Sequence, residues 1–221
     1  MRFPFPTVGF DLDGTLVDTA GDLTAAVNHA LALAARPPLT ENQVRPMIGL
    51  GARHMLEQGF AATGGVPGDD FERLYRELLH YYEANIALHS RPFPGLIAAL
   101  DHLDARGVRT AVVTNKAERM ARKLLAALGL AERMETIIGG DTLGPGNAKP
   151  SPAPIHAMIA RCGGGRAAFV GDSIHDVMAA KAADTPSIIV SFGFLDRPAE
   201  TLGADHVIDH YDALLPLLER L

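Results

Sequence analysis

The chain has 221 residues, of which 48% are hydrophobic and 21% are charged, and this balance is typical of a globular protein with a substantial core. Its net charge of −6 argues against nucleic acid as the main partner, although it leaves room for a small anionic ligand in a locally positive pocket. The single cysteine, Cys162, excludes an internal disulfide bond.

The beginning of the chain, MRFPFPTVGFD, is interrupted by two prolines and contains no long apolar run, so it does not resemble a secretory signal. No other segment approaches the roughly 18 consecutive apolar residues that a membrane-spanning helix needs. We therefore expect a cytoplasmic protein without a membrane partner.

The first predicted strand, Thr7–Phe10, leads directly into two carboxylates, Asp11 and Asp13. Two anions at the end of an apolar strand repel each other and resist desolvation. Gly14 follows them and allows the backbone to turn sharply, so that both side chains can face one cavity. This arrangement predicts that a ligand of opposite charge binds at the end of the strand.

A helical periodicity occupies residues 18–89, which contain no strand signal. Its apolar stripes predict amphipathic helices on either side of a break at Gly64–Gly68. The residues that mark the stripes include Leu23, Val27, Leu31, Leu74, Leu78 and Tyr82.

After a predicted turn at Pro92–Gly95, short apolar strands alternate with helices, which indicates a parallel sheet covered on both faces. The predicted strands are Arg109–Val113, Thr136–Ile138, Ala167–Val170, Ser187–Val190 and Val207–Ile208. The predicted helices are Ala121–Leu128, Pro152–Cys162, His175–Ala183 and Leu214–Leu218. We therefore expect an α/β fold, in which a doubly wound, Rossmann-like parallel-sheet core (residues 1–17 and 90–221) is interrupted by an all-helical cap (residues 18–89).

Polar residues follow several of the predicted strands. Thr114 and Asn115 follow one strand and Asp172 and Ser173 follow another, while Lys149 lies in a loop just before a helix. Ligands of such sheets bind at the carboxyl ends of the strands, so these side chains are expected to meet Asp11 and Asp13. Each residue also has a purely structural interpretation, because Asn115 and Ser173 could cap helices and Lys149 could be an ordinary loop cation.

Together these residue types suit phosphoryl transfer. Converging carboxylates favour Mg²⁺, which prefers oxygen ligands, and Asp11 would be an anion able to attack phosphorus. Thr114, Lys149 and backbone N–H groups could neutralise the phosphate. Asp13 could protonate the leaving group and later activate water. Thr15 and Asn115 are further candidate substrate-binding residues.

Four motifs in chain order resemble those of the haloacid dehalogenase superfamily. They are Asp11–Asp18 (DLDGTLVD), Thr114–Asn115, Lys149–Pro150, and Gly171–Ser173 together with Asp176. The resemblance covers essentially the whole chain. Asp184 departs from it, because many members have glycine there, and this predicts an altered turn.

The resemblance implies a role for each residue of these motifs. Asp11 would be the nucleophile and a metal ligand, and Asp13 the general acid and base that also binds metal through its backbone carbonyl. Asp172 would be the third protein ligand of Mg²⁺, supported by Ser173 and Asp176. Thr114 and Lys149 would hold the phosphoryl group under a mobile helical cap.

Absences narrow the expected activity. Asp13 argues against the dehalogenating members, which lack this aspartate. The lack of lysine between Asp18 and His89 argues against the phosphonate-cleaving members, which use a cap lysine. Four segments resemble the phosphoglycolate phosphatase branch instead: Asp18–Leu23, Ile48–Arg53, Val113–Lys116 and Ile138–Asp141.

The expected activity is hydrolysis of a small phosphorylated metabolite such as 2-phosphoglycolate, by a monomer or homodimer. If the loop of Gly49 and Arg53 faces the site, its backbone donors and guanidinium would bind the substrate carboxylate. Otherwise Arg53 is a solvated helix residue.

Two other functions stay open at this stage. One is a broader sugar-phosphate or nucleotide phosphatase on the same scaffold. The other is a receiver-like signalling protein that only accepts phosphate. Receivers are about half as long and lack an inserted helical segment, which disfavours the second.

Overall fold

The computed structural model describes residues 3–221. Met1 and Arg2, at which the predicted core segment and the N-terminal stretch begin, lie outside the described residues.

Six parallel strands form the central sheet in the order β5-β4-β1-β6-β7-β8. They are β1 (Thr7–Phe10), β4 (Arg109–Val113), β5 (Thr136–Ile138), β6 (Ala167–Gly171), β7 (Ser187–Val190) and β8 (His206–Ile208). β1 lies between β4 and β6, with Thr7 opposite Arg109 on one side and opposite Ala167 on the other. The predicted parallel-sheet fold is confirmed.

Helices cover both faces of this sheet, as the alternation along β4 shows. Val112 belongs to a large apolar cluster that includes residues of the helices α5 (Leu96–Asp104), α6 (Glu118–Ala127) and α9 (Leu214–Leu218). Its neighbours Ala111 and Val113 belong to a second cluster, with residues of α7 (Ala153–Arg161) and α8 (Ile174–Ala182). Because successive side chains of a strand point to opposite faces, these two clusters are the two faces of a doubly wound sheet.

A helical segment separates β1 from the rest of the sheet. It contains α1 (Ala20–Leu33), α2 (Glu41–Val44), α3 (Ala52–Ala62) and α4 (Phe71–Ala84). Leu23 and Leu31 of α1 and Leu74 and Leu78 of α4 are buried in the same apolar cluster as one face of the sheet. We propose that residues 18–89 form a cap on a core of residues 1–17 and 90–221.

A short ribbon joins the two parts of the chain. β2 (Val17–Asp18) pairs antiparallel with β3 (Arg91–Pro92), so the chain enters and leaves the helical segment side by side. This ribbon was not predicted, since two residues are too few to show an alternating pattern.

Helix α5 was also absent from the prediction. It follows Gly95, whose φ of +80° is left-handed, and no side chain caps its first turn. The capping residues that normally mark a helix start in the sequence are therefore missing. Among residues 3–221, the helices are all too short or too polar to span a lipid bilayer.

Candidate active site

The structure brings the predicted strand-end residues together at one edge of the sheet. Asp11 follows β1, Thr114 follows β4 and Asp172 follows β6, while Lys149 comes from the loop before α7. Each of the four is at most 5% exposed. The backbone N–H of Asp11 donates to the carbonyl of Val170, 2.8 Å away, so the sheet fixes the start of the loop that carries Asp11 and Asp13.

Lys149 is the cation at the centre of this group. Its Nζ lies 2.6 Å from Asp176 Oδ1 and 2.8 Å from Asp11 Oδ1. The first contact is a hydrogen bond, whereas the second lacks hydrogen-bond angles and leaves Asp11 Oδ1 a buried oxygen without a hydrogen-bond partner. Burial alone would lower the pKa of Lys149, but Asp11 and Asp176 outweigh it and raise the pKa.

Asp172 is held by the loop that follows β7. Its Oδ2 accepts a hydrogen bond from Phe194 N at 2.7 Å, and its Oδ1 lies 3.4 Å from the hydroxyl of Thr15. Gly14 packs directly against it: a Cβ there would lie 2.0 Å from Asp172 Oδ2, and φ is +84°. The motif therefore needs glycine at this position both for its backbone conformation and for space. No pattern in the sequence predicts the contact of Asp172 with Phe194.

Asp176 supports its neighbours from the first turn of α8. Its Oδ2 accepts from Asp172 N at 3.2 Å, from Ser173 N at 2.9 Å and from Ser173 Oγ at 2.6 Å. The Ser173 hydroxyl in turn caps α8. The capping interpretation of Ser173 is thus correct, and the same contacts order the loop that carries Asp172.

The environment of Asp11 and Asp172 disfavours their charged forms. Burial, followed by repulsion from nearby carboxylates, raises the pKa of Asp11 to about 6, although Lys149 acts in the opposite direction. Burial and repulsion from Asp11 also raise the pKa of Asp172. The negative charges of Asp11 and Asp172 are therefore only partly compensated by nearby positive charge.

This cluster fits a divalent cation. Oxygen atoms of Asp11, Asp172 and Asp176 lie within 4.8 Å of one another, and carboxylate oxygens are the ligands that hard cations prefer. The unpartnered Oδ1 of Asp11 and the raised pKa values of Asp11 and Asp172 point the same way. Asp176 already uses both of its oxygens, so it suits a supporting position better than a ligand position.

Asp13 lies next to this cluster but has different partners. Both of its carboxylate oxygens are 2.8 Å from Lys116 Nζ, and Oδ1 also accepts from the Thr19 hydroxyl at 2.7 Å. Burial alone would lower the pKa of Lys116, but Asp13 and then Tyr82 outweigh it and raise the pKa. Lys116 was not predicted to be a site residue, although it lies only three residues beyond the end of a buried strand.

A cavity of about 440 Å³ lies above Asp11 and Asp13. Helices α3 and α4 provide an apolar wall that includes Met55, Leu78 and Tyr82. The polar floor comes from the sheet edge. A polar site beneath an apolar cover is the usual construction of a small-molecule site.

The loop of Gly49 faces this cavity, which is the condition under which the sequence predicts that it binds the substrate carboxylate. Asn115 Nδ2 donates to Gly49 O and to Lys149 O, both at 3.1 Å, whereas Asn115 Oδ1 is buried without a hydrogen-bond partner. Arg53 also borders the cavity, but its guanidinium forms a bidentate pair with Glu72 at 2.7 and 2.9 Å. Its side chain is 47% exposed.

Comparison with known proteins gives consistent results. The family described as haloacid dehalogenase-like hydrolase matches residues 8–190. A phosphoglycolate phosphatase of Caulobacter vibrioides is 44% identical over 208 residues, which are 93% of this chain and 87% of the relative. One of Agrobacterium fabrum is 43% identical and covers 96% and 92% of the two chains.

Solved structures agree in fold. A crystal structure described as a predicted phosphoglycolate phosphatase from Haemophilus somnus superposes with a TM-score of 0.91 at 31% identity, and covers 97% of this chain and 98% of that one. CbbY from Rhodobacter sphaeroides, solved with phosphate, has a TM-score of 0.81 at 22% identity and covers 98% and 100% of the two chains. At that identity the second comparison supports the fold alone.

Proposed function

The chain belongs to the haloacid dehalogenase-like hydrolase family, and on this basis we propose that it is a Mg²⁺-dependent phosphatase that hydrolyses 2-phosphoglycolate to glycolate and phosphate. The observation that carries the proposal is the buried group of Asp11, Thr114, Lys149 and Asp172, three of which line the cavity. The substrate is proposed from the names of relatives that are similar along nearly the whole chain.

Asp11 is the proposed nucleophile. Its Oδ1 lies 2.8 Å from Lys149 Nζ, the cation that is also proposed to hold the phosphoryl group, so a carboxylate oxygen and the incoming phosphate would meet at the same place. A bond forms between that oxygen and phosphorus while the bond from phosphorus to the ester oxygen breaks, which leaves an aspartyl-phosphate. Water then attacks this phosphorus and releases inorganic phosphate, restoring the carboxylate.

Asp13 is the proposed proton carrier in both steps. In the first it gives its proton to the departing ester oxygen, and in the second it takes a proton from the attacking water. Lys116 and Thr19 hold its carboxylate in place through the contacts described above. Removing the proton carrier would leave a poor alkoxide leaving group.

Thr114 and Lys149 are proposed to hold the phosphoryl group. Lys149 is fixed by Asp176 and keeps further N–H donors for phosphoryl oxygens. We propose that Asp11, Asp172 and the backbone carbonyl of Asp13 hold Mg²⁺, with Ser173 and Asp176 supporting them. When bound, Mg²⁺ supplies positive charge to the phosphoryl oxygens and to the carboxylates.

Thr15, Asn115, Gly49 and Arg53 remain proposed substrate-binding residues. Thr15 contacts Asp172, and Asn115 links the loop of Gly49 to that of Lys149. The loops of Gly49 and Lys149 border the same cavity, which supports the proposal that both contact the substrate. Arg53 would have to leave Glu72 to reach a substrate.

A broader sugar-phosphate or nucleotide phosphatase is the second candidate, and the size of the cavity favours it. A volume of about 440 Å³ falls within the range that holds ligands larger than a two-carbon acid. A receiver-like function is set aside, because the chain belongs to a hydrolase family along most of its length.

The test is phosphate release from 2-phosphoglycolate, a hexose phosphate, a nucleoside monophosphate and ethyl phosphate, with and without MgCl₂. We expect Mg²⁺-dependent turnover with the highest kcat/KM for 2-phosphoglycolate. Similar values across the panel would favour the broader phosphatase, and no release from any ester would refute the proposal.

Asp11→Asn is the matched variant for this assay. It should lower kcat by roughly 10⁴-fold or more while the circular dichroism spectrum is unchanged, because the amide is nearly isosteric but is not a nucleophile. Near wild-type turnover would contradict the role given to Asp11.

A further inference from the structure

The cationic side chains that border the cavity differ in their exposure and in their ionic partners. They are Arg53, Lys116, Arg119 and Lys149. The side chains of Arg53 and Arg119 are 47% and 68% exposed, and they pair with Glu72 and Glu83 at the rim. Lys149 is bound to Asp11 and Asp176.

Lys116 is the remaining cation of this set, and no role in binding has been given to it. Its side chain is only 9% exposed, and its ionic partner Asp13 itself borders the cavity. An ammonium group carries three N–H donors, whereas Asp13 offers two oxygens, so a donor is left for a further acceptor. Lys116 can therefore contact a ligand without releasing Asp13.

The position of Lys116 follows from the position of Asp13. A general acid must come within about 2.6–3.2 Å of the leaving oxygen. Since Lys116 Nζ is 2.8 Å from both Asp13 oxygens, it would lie no more than about two hydrogen-bond lengths from that oxygen. In 2-phosphoglycolate a single methylene separates the ester oxygen from the carboxylate, so the carboxylate falls within reach of Lys116.

Tyr82 of α4 provides an independent indication of a ligand beside Lys116. Its side chain is buried and borders the cavity, yet its hydroxyl has no hydrogen-bond partner among the described atoms. Lys116 Nζ lies 4.7 Å from the centre of its ring. A buried hydroxyl without a partner is costly, and an incoming carboxylate oxygen would accept a hydrogen bond from it. Burial raises the pKa of Tyr82 to about 12, so the hydroxyl keeps that proton at neutral pH.

We propose that Lys116 and the Tyr82 hydroxyl together bind the carboxylate of the substrate and set the preference for phosphorylated small acids. This inference rests on the proposed function. Lys116 belongs to the core and Tyr82 to the helical segment, so the two donors meet only where α4 covers the sheet edge. The competing explanation is that Lys116 merely positions Asp13.

The test compares esters that share a phosphate but differ in the tail. For Lys116→Met, we expect kcat/KM for 2-phosphoglycolate to fall about 30-fold or more beyond its fall for ethyl phosphate, since a buried charge pair is lost only with the acid. Phosphoethanolamine, with a cationic tail, should become a relatively better substrate. Equal losses on all three esters would overturn the proposal.

Binding without turnover separates recognition from positioning. In an Asp11→Asn background, Lys116→Met should weaken the calorimetric Kd for 2-phosphoglycolate about 30-fold and leave that for ethyl phosphate within a few-fold. A lysine that only positions the acid would leave both values alike, and that result would overturn the proposal.

Two further variants test the proposal even if Lys116→Met fails to fold. Tyr82→Phe removes a hydroxyl that has no partner, so the fold should be retained, and the loss on 2-phosphoglycolate should exceed that on ethyl phosphate by about 10-fold. Arg53→Met gives the comparison with the other candidate. Selective loss in Arg53→Met without selective loss in Tyr82→Phe would assign the carboxylate to Arg53 instead.

The activity of the wild type distinguishes an error in the proposed substrate from an error in the proposed carboxylate site. If wild type hydrolyses other esters but not 2-phosphoglycolate, the proposed substrate is wrong. If wild type prefers 2-phosphoglycolate and Lys116→Met loses activity equally on every ester, the substrate stands and the carboxylate site is wrong.

Discussion

The buried carboxylates answer the question that the first motif raises. Asp11 and Asp172 end fully buried strands, so the sheet forces them into an environment where their charges are poorly solvated. Lys149 compensates for part of this charge but is shared with Asp176. A site that is short of positive charge before substrate arrives is suited to bind a dication.

The raised pKa values lead to a prediction about Mg²⁺ and pH. Between about pH 4 and pH 6, Asp11 binds a proton more tightly in the folded protein than in the unfolded chain, so the metal-free protein loses stability from this group as pH rises. Mg²⁺ needs the deprotonated carboxylates and should bind tightly only above about pH 6. In thermal unfolding, MgCl₂ should raise Tm at about pH 7.5 and have little effect at about pH 5.

Sodium chloride at matched ionic strength is the control, and Asp172→Asn should remove most of the Mg²⁺ response. An equal increase in Tm at both pH values would contradict a site formed by these carboxylates.

The sequence predicts the polar residues of the site better than their pairings. Asp11, Thr114 and Asp172 were found because they follow recognisable strands. The pairing of Arg53 with Glu72 depends on how α3 and α4 pack, and the pairing of Asp13 with Lys116 depends on how two strand ends meet, and no local pattern encodes either. Lys116 and Glu72 were missed for this reason.

One side chain, that of Asp22, connects the start of the helical segment to its end. Asp22, in the first turn of α1, is 2% exposed. Its carboxylate accepts from His89 N at 2.9 Å, from Ser90 N at 2.9 Å and from Ser90 Oγ at 2.6 Å. It thus joins the start of the segment to its end, next to the ribbon of β2 and β3.

Asp22→Asn tests this link. The amide places an N–H group among donors, so it leaves buried N–H groups unpaired, and the free energy of unfolding should fall by about 1–3 kcal/mol. Urea unfolding measures the change. Asp69→Asn, at an exposed position of the same segment, is the control. Equal midpoints for the two variants would show that Asp22 does not tie the segment.

The six strands of the central sheet were predicted almost to the residue, because buried parallel strands are short apolar runs bounded by turn residues. The bounds of β1, β4, β5 and β7 agree with the prediction.

Helix α6 begins at Glu118, before the predicted Ala121, since its first turn is polar. Asp184 has a φ of +50°, so it adopts the conformation that glycine would favour at that position.

Across the whole molecule, the helical segment meets the core through two kinds of contact. Apolar side chains of both parts form one buried cluster. At the rim, Glu83 at the end of α4 pairs with Arg119 of α6, with Oε2 and Nη2 2.8 Å apart, and Lys123 Nζ donates to the Glu83 carbonyl at 2.8 Å. Arg119 borders the cavity, and these rim contacts are exposed, so each contributes little, about 0–1 kcal/mol.

Weak rim contacts predict a cap that closes readily and opens without a large barrier. Glu83→Gln should raise KM for 2-phosphoglycolate by up to about 5-fold, because the closed arrangement that binds substrate loses roughly 1 kcal/mol. The value of kcat should not fall, since opening and product release are not slowed. In high salt the wild type should approach the variant, because exposed ion pairs are screened.

Steady-state kinetics at low and high ionic strength measure both effects. Glu77→Gln is the control, because Glu77 lies on the same helix and forms no ion pair with the core within residues 3–221. If the KM of Glu83→Gln equals that of wild type at low salt, the rim ion pairs do not govern closure of the cap. If a difference persists unchanged at high salt, its cause is not electrostatic, and closure then depends on the apolar contacts alone.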